Sequence, residues 1–267
     1  MSGVVLVTGV AGYIGTLLRE GLPARGHTVR GLDVVPVQGH LVADATDLAA
    51  VTAAAEGTDA LVHMAGIATE ASWAAISHAN IEGTYVALEA ARRAGVRRVV
   101  LASSNHATGM SPRVSSAQTD AQPRPDTYYG VSKVTMEALG SLYADRYGLD
   151  VVCLRIGSAL PAPVTPRHLS TWLSPADTVG LVHAALTAPS PGFAVVWGVS
   201  GNTRGWWDLT SARALGYAPV DDAETHAAAV IAAHGEPVPG TVEHDRVGGE
   251  YAGPDFAVDA VAARAQA

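Results

Sequence analysis

Cysteine is nearly missing from this chain of 267 residues. Cys153 stands alone, so no disulfide can form within the chain and no cysteine-rich metal site is available. Lysine is just as scarce: Lys133 is the one lysine beside 16 arginines. Charged residues amount to 16% and the net charge is −8, with no basic block or stripe. That tells against nucleic acid as a partner and leaves an anionic ligand dependent on a specific local cation. No apolar run approaches the roughly 20 residues of a membrane span. The chain runs straight into a strand-like segment instead of the charged and long apolar regions of an export signal. A cytoplasmic protein with no membrane partner is expected. What is present is apolar bulk, 48% of the chain, enough for a sizeable core and contrary to disorder. The length suits one large domain or two intimately joined ones.

Periodicity places strands at Val4 to Thr8, Thr28 to Val34, Ala60 to Met64, Arg98 to Ala102, Val151 to Ile156 and Phe193 to Trp197. Helical patterns lie between them: from Gly15 to about Arg25, Asp47 to Ala55, one long Ala-rich helix from Ser72 to Ala94, and Tyr128 to Tyr147 closed by Gly148. Strands alternating with helices predict an α/β fold, a doubly wound parallel sheet of the Rossmann kind. Beyond Gly157 the chain holds most of its prolines and three of its tryptophans between Trp197 and Trp207. Residues 1–156 therefore read as the dinucleotide-binding core. Residues 157–267 read mainly as a small substrate-capping part, with one or two segments returning to the sheet. The tail after about Ala223 has no assigned role.

Gly9, Gly12 and Gly15 are spaced three apart, directly after an apolar strand and at the opening of a helix that begins with Tyr13 and Ile14. Such a turn brings backbone close to a pyrophosphate and aims free N–H groups at it. Asp33 ends the second strand, where a carboxylate accepts hydrogen bonds from ribose hydroxyls and repels a 2′-phosphate. No arginine follows closely, so NAD is expected as the cofactor rather than NADP. Asp44 lies near the adenine in this reading, or caps a helix.

Tyr129 and Lys133 sit four apart at the start of a helix, on one face. A phenol's pKa of about 10 is too high for a base at neutral pH. A neighbouring ammonium and a positive nicotinamide ring are expected to lower it. A compact point charge on a thin stem is lysine's particular asset, and this chain uses its one lysine here. Ser104 ends the fourth strand, where the carboxyl ends of parallel strands line the ligand crevice; its hydroxyl is placed to hold the oxygen that loses a proton.

Thr8-Gly9-x-x-Gly12-x-x-Gly15, Asn80-Ile81-Glu82-Gly83-Thr84, Ser103-Ser104 and Tyr129-x-x-x-Lys133 resemble extended short-chain dehydrogenases and nucleotide-sugar epimerases over the N-terminal two thirds of the chain. The resemblance implies that Ser104, Tyr129 and Lys133 are catalytic and that Asn80 helps hold the cofactor pocket. More narrowly, Ser103-Ser104-Asn105-His106, Arg155-Ile156-Gly157-Ser158, Arg167-His168-Leu169-Ser170-Thr171-Trp172 and Gly205-Trp206-Trp207-Asp208 resemble bacterial uronate dehydrogenases. That implies NAD-dependent oxidation of a hexuronic acid, glucuronate or galacturonate, at C1 to the aldarolactone. It also implies that Arg167 binds the substrate carboxylate as a bidentate fork and that Asn105, His106 and Ser158 contact the sugar. Where a small polar residue is expected after the third strand, position 68 is alanine, and Thr69 is the candidate to replace its hydrogen bond.

Arg155, inside a strand, reads as a structural ion-pair partner, and the Trp206–Trp207 pair as either a sugar platform or core. A homo-oligomer is expected. The alternatives are another sugar epimerase or reductase of the same superfamily, or a non-enzymatic dinucleotide sensor; the Tyr–Lys pair disfavours the sensor. There is no Gly-x-Ser-x-Gly elbow, no His-Glu-x-x-His and no clustered set of metal ligands, so no metal is expected.

Overall fold

In the first strand, β1 (Val4–Thr8), Val5 and Val7 face one way and Leu6 the other, and all three are buried. A strand apolar on both faces belongs inside a sheet covered on both sides, and the computed structural model, which describes residues 3–113, 120, 122–257 and 260–261, has that arrangement. The remaining strands are β2 (Thr28–Asp33), β3 (Leu41–Val42), β4 (Ala60–His63), β5 (Arg98–Leu101), β6 (Asp150–Ile156), the short β7 (Ser158–Ala159) and β8 (Trp172–Leu173), and β9 (Phe193–Gly198). The main sheet has seven strands in the order β3-β2-β1-β4-β5-β6-β9, every pair parallel. β7 and β8 form a separate parallel pair.

Ten α-helices are found among the described residues: α1 (Tyr13–Gly21), α2 (Leu48–Ala55), α3 (Trp73–Ile76), α4 (Gly83–Ala94), α5 (Tyr128–Tyr147), α6 (His168–Thr171), α7 (Pro175–Thr187), α8 (Thr210–Ala214), α9 (Ala227–His234) and α10 (Val242–Asp245). α1 and α7 cover one face through Leu18, Val179 and Val182 against Val5, Val7, Val62 and Val152. On the other face, Val51, Val86, Leu88 and Met136 of α2, α4 and α5 pack on Leu6, Leu61, Val99 and Leu101. α5 runs over the expected span and ends at Gly148, whose φ of +70° suits a left-handed helix stop.

The helix expected from Ser72 to Ala94 is not uniform. α3 widens into a π turn over Ser77–Glu82 before α4 continues. Asn80 lies in that turn with its side chain drawn off the helix, and such wide turns recur at functional positions. α7 was absent from the sequence reading, although Ser174 caps it and Pro175 opens it. With β9 it returns residues 175–198 to the main sheet. The segment after Ala223 is built into α9, α10 and short 3₁₀ turns beside the carboxyl end of β6.

Candidate active site

The turn after β1 works through two steric facts. Gly9 has φ +74°, and a Cβ there would meet Ala65 N at 2.6 Å. A Cβ on Gly15 would lie 2.0 Å from Gly9 O, so neither position admits a side chain without moving backbone. The N-terminus of α1 has no side-chain cap and no acid in its first turn, which leaves its N–H groups and dipole for an anion. A cavity of about 500 Å³ runs from Asp33 and Asp44 to Gly9, Gly12 and Gly66. A second, of about 330 Å³, runs from Gly9, Gly12, Tyr13, Ile14 and Gly15 to Ser104, Tyr129 and Lys133. A trough with an acid at one end, an uncapped helix in the middle and the Tyr–Lys pair at the other fits a dinucleotide.

Asp33 Oδ2 accepts from Ala11 N at 2.9 Å and Oδ1 from Val35 N at 3.0 Å, so the carboxylate is fixed at the rim of this trough. Asp44 accepts from both the backbone and the hydroxyl of Thr46, which hold its carboxyl below the usual range. Asn80 is buried and does not itself line the 330 Å³ cavity. It accepts from Ile67 N at 2.8 Å and donates to Ile67 O at 2.9 Å and Ser132 Oγ at 3.1 Å. It clamps the loop after β4 to α5.

Tyr129 is buried and lines the 330 Å³ cavity together with Ser104. Lys133 Nζ lies 5.2 Å from the centroid of its ring. Burial pushes Tyr129 up to about 12 against the smaller downward pull of Ser104. Burial also brings Lys133 down to about 8. Both charged forms lose their hydration in the same pocket.

Beyond Gly157 a cavity of about 170 Å³ is lined by Asn105, His106, Ser158, Arg167, Glu250 and Tyr251, among others. Four of the expected sugar-contacting residues therefore converge. Asn105 Nδ2 donates to Val247 O at 3.0 Å, and Ser158 Oγ lies 2.9 Å from Thr171 Oγ1. His106 Nδ1 is 2.7 Å from Asp126 Oδ2, and its ring meets Tyr129 edge-on at 5.6 Å and Tyr251 at 4.3 Å. Arg167 opens α6. Its guanidinium donates to the backbone carbonyls of Glu243, Arg246 and Val247, and burial brings its pKa down to about 10. Thr69 does not line the cavities on either side of Tyr129. Its hydroxyl is 2.8 Å from Tyr251 Oη and ties the loop after β4 to the C-terminal segment.

Four residues of this site escaped the sequence reading. Glu70 is buried and accepts from Tyr128 N at 3.2 Å and Tyr129 N at 2.8 Å, so it caps the helix that carries the tyrosine from a distant loop. Glu137 accepts from Ser103 Oγ at 2.6 Å and from two nitrogens of Arg155, at 2.9 and 2.8 Å; Arg155 is the structural ion-pair partner that its place in a strand suggested. Asp126 orients His106, and Tyr251 walls the cavity from the tail. Only Asp126, next to the Thr127 cap, carried a local signal, that of a helix start.

Residues 5–189 match the family described as NAD dependent epimerase/dehydratase. The chain belongs to that family. Within it, the chain stands with the uronate dehydrogenases. It is 40% identical to uronate dehydrogenase from Pseudomonas putida over 95% of each chain. It superposes, with a TM-score of 0.89 and 37% identity, on a mutant uronate dehydrogenase from Agrobacterium tumefaciens complexed with NAD, covering 94% of this chain and 97% of that one. A more divergent relative is L-arabinose 1-dehydrogenase (NAD(P)(+)) from Haloferax volcanii, 36% identical over 83% of this chain and 98% of its own. In this chain Ser104 follows β5, and Tyr129 and Lys133 lie in the N-terminal part of α5.

Proposed function

We propose that this member of the family oxidises a hexuronic acid, glucuronate or galacturonate, at C1 with NAD, giving the aldarolactone that opens to the aldaric acid. The observation that carries the reading is the line from the dinucleotide trough, past the Ser104–Tyr129–Lys133 group, to a small polar cavity closed by Arg167. A bound nicotinamide ring supplies the hydride acceptor. Asp33 holds the adenosine ribose, Asp44 borders the adenine, and the turn from Gly9 to Gly15, with Tyr13 and Ile14, receives the pyrophosphate. Ser104 holds the anomeric hydroxyl, and Tyr129 takes its proton. Burial opposes the phenolate, so the positive charges of Lys133 and of the oxidised cofactor must offset it. Asn105, His106 and Ser158 fix the ring hydroxyls, and Arg167 takes the carboxylate through a charge-assisted hydrogen bond. Thr69 acts by holding Tyr251 over the cavity.

Residues 157–251 supply Ser158, Arg167 and Tyr251, which supports a substrate-binding part after residue 156 in which 175–198 rejoin the core. Location in the cytoplasm and assembly into a homo-oligomer belong to the same proposal. Among the described residues no helix is long and apolar enough to cross a membrane.

The test is NADH formation with a panel of uronates and neutral aldoses, using wild type and Arg167→Ala. Uronates are expected to react and neutral aldoses not to, with Arg167→Ala raising KM for uronates. A second reading, a neutral aldose as substrate, is favoured by one observation: the Arg167 guanidinium already serves three backbone carbonyls. Neutral hexoses or pentoses reacting as well as uronates would establish that reading instead.

A further inference from the structure

At its adenosine end the dinucleotide trough is walled by the π turn as well as by the two aspartates: His78 and Ala79 line the 500 Å³ cavity together with Asp33 and Asp44. Asn80 explains why. Side chains two residues apart on a helix point to roughly opposite sides, and Asn80 is drawn to Ile67 and Ser132 by three hydrogen bonds. That clamp turns His78 toward the cavity. His78 is exposed, and its imidazole makes no hydrogen bond among the described residues. Across from it Asp44 is half engaged. Thr46 donates from its backbone at 2.9 Å and from its hydroxyl at 2.8 Å, both to Oδ1, which leaves Oδ2 to accept from something else. The Asp44 carboxyl is held low first by those two bonds and, behind burial that acts the other way, by the charge of His78. The two side chains are therefore within electrostatic reach of each other. Val34 and Val35 line the same cavity and are exposed at its rim.

A carboxylate oxygen without a partner, an imidazole without one and two uncovered valines call for a flat occupant with apolar faces and a polar edge. That edge must offer a donor to Asp44 and an acceptor to an imidazole N–H. Adenine has such an edge, with its N6 amino group beside a ring nitrogen that accepts. A base with a carbonyl in place of the amino group would set one acceptor against another. We propose that His78 is a cofactor-binding residue which, with Asp44, reads the edge of the adenine: Asp44 Oδ2 accepts from the N6 amino group, and the His78 imidazole donates to the ring nitrogen beside it. Val34 and Val35 cover the base. His78 does not line the 330 Å³ cavity that holds Tyr129 and Lys133, so its action is confined to the adenosine half of the cofactor. The assignment depends on NAD and not on which sugar is oxidised.

The experiment is calorimetric titration with ADP-ribose, which carries the adenosine and pyrophosphate without the nicotinamide. Wild type, His78→Leu and His78→Gln are compared, with thermal melts of the ligand-free proteins. Loss of one hydrogen bond should raise the Kd for ADP-ribose about fivefold in His78→Leu. His78→Gln keeps an N–H donor and should stay within about twofold of wild type. Ligand-free melts should agree within about 2 °C, since the side chain is exposed and the Asn80 clamp is untouched. If His78→Leu melts lower, His78→Gln still separates donation from packing. The base itself gives a second measurement. Nicotinamide hypoxanthine dinucleotide has a carbonyl in place of the amino group, and wild type should bind it about tenfold more weakly than NAD. Asp44→Asn, whose amide can donate, should narrow that gap to about twofold. The role of His78 is overturned if His78→Leu binds ADP-ribose as tightly as wild type, or if His78→Gln binds it as weakly as His78→Leu. Equal binding of the two dinucleotides by wild type overturns the placing of the amino group at Asp44.

Discussion

Glu70 holds α5 by its first turn, and removing it tests whether that hold matters. Its carboxylate accepts from the backbone of Tyr128 at 3.2 Å and of Tyr129 at 2.8 Å, and the residue is 7% exposed. Glu70→Ala leaves both N–H groups without this acceptor and withdraws a negative charge from a helix N-terminus. A hydrogen bond to a charged acceptor contributes about 1.5–3 kcal/mol, and a lost helix cap costs about 0.5–2 kcal/mol. These figures describe one contact and overlap, so a loss of about 3 kcal/mol is expected. For a chain of this size each kcal/mol moves Tm by about 2–4 °C, giving a fall of about 6–12 °C. Because Tyr129 is itself one of the two anchored residues, a misplaced phenol should lower kcat by up to about 100-fold. NAD affinity should change little, since the Gly9–Gly15 turn and Asp33 are untouched. Glu70→Gln keeps one acceptor in the same shape and should lose about 1 kcal/mol. Thermal melts, NAD titration and NADH-formation kinetics read these effects separately. A Glu70→Ala protein that melts within 2 °C or so of wild type with unchanged kcat would refute the argument.

Arg155 is 3% exposed and paired with Glu137; Arg155→Met strands a buried carboxylate and should cost about 3–5 kcal/mol in chemical denaturation. The double variant Arg155→Met/Glu137→Leu should lose less, and a single variant as stable as wild type would contradict the pairing. Tyr129→Phe should abolish most NADH formation with NAD binding intact. In wild type, kcat/KM should rise with pH, about tenfold per unit while the buried phenol remains protonated, and flatten where Lys133, lowered by burial to about 8, loses its charge; a profile level from pH 6 to 9 would remove Tyr129 as the base. Buried His63 is held down to about 3, first by burial and then by the charge of Lys133. The unfolded chain therefore binds a proton that the folded one refuses: His63's contribution to stability is present above about 6.5 and lost as pH falls toward 3. Melting series from pH 7.5 to 4.5 should show a shallower acid decline in His63→Gln than in wild type, and equal slopes would show that His63 is not the group responsible.

The amino-acid order by itself determined the local parts of this protein. Val4 to Thr8 followed by glycines at 9, 12 and 15 is a strand, a turn and a helix start because backbone sterics and burial act over a few residues. Tyr129 and Lys133 share a helix face for the same reason, and Asp33 closes its strand. The π turn at Asn80 was hidden, since only the pull of Ile67 and Ser132 on its side chain distinguishes it from ordinary helix. α7 was legible at Ser174 and Pro175 but lay in a stretch whose prolines obscured it. What tertiary structure decided is everything that joins distant segments: Glu70 capping a helix that starts 58 residues later, Glu137 beneath Arg155, Asp126 behind His106, and the tail bringing Tyr251 to Thr69 across 182 residues. It also decided the protonation energetics. Burial is a property of the assembled core, and it raises Tyr129 above its ordinary value. Hydrogen-bond partners and desolvation depend on which surfaces meet, and a linear pattern carries that information only where the partners are neighbours in the chain.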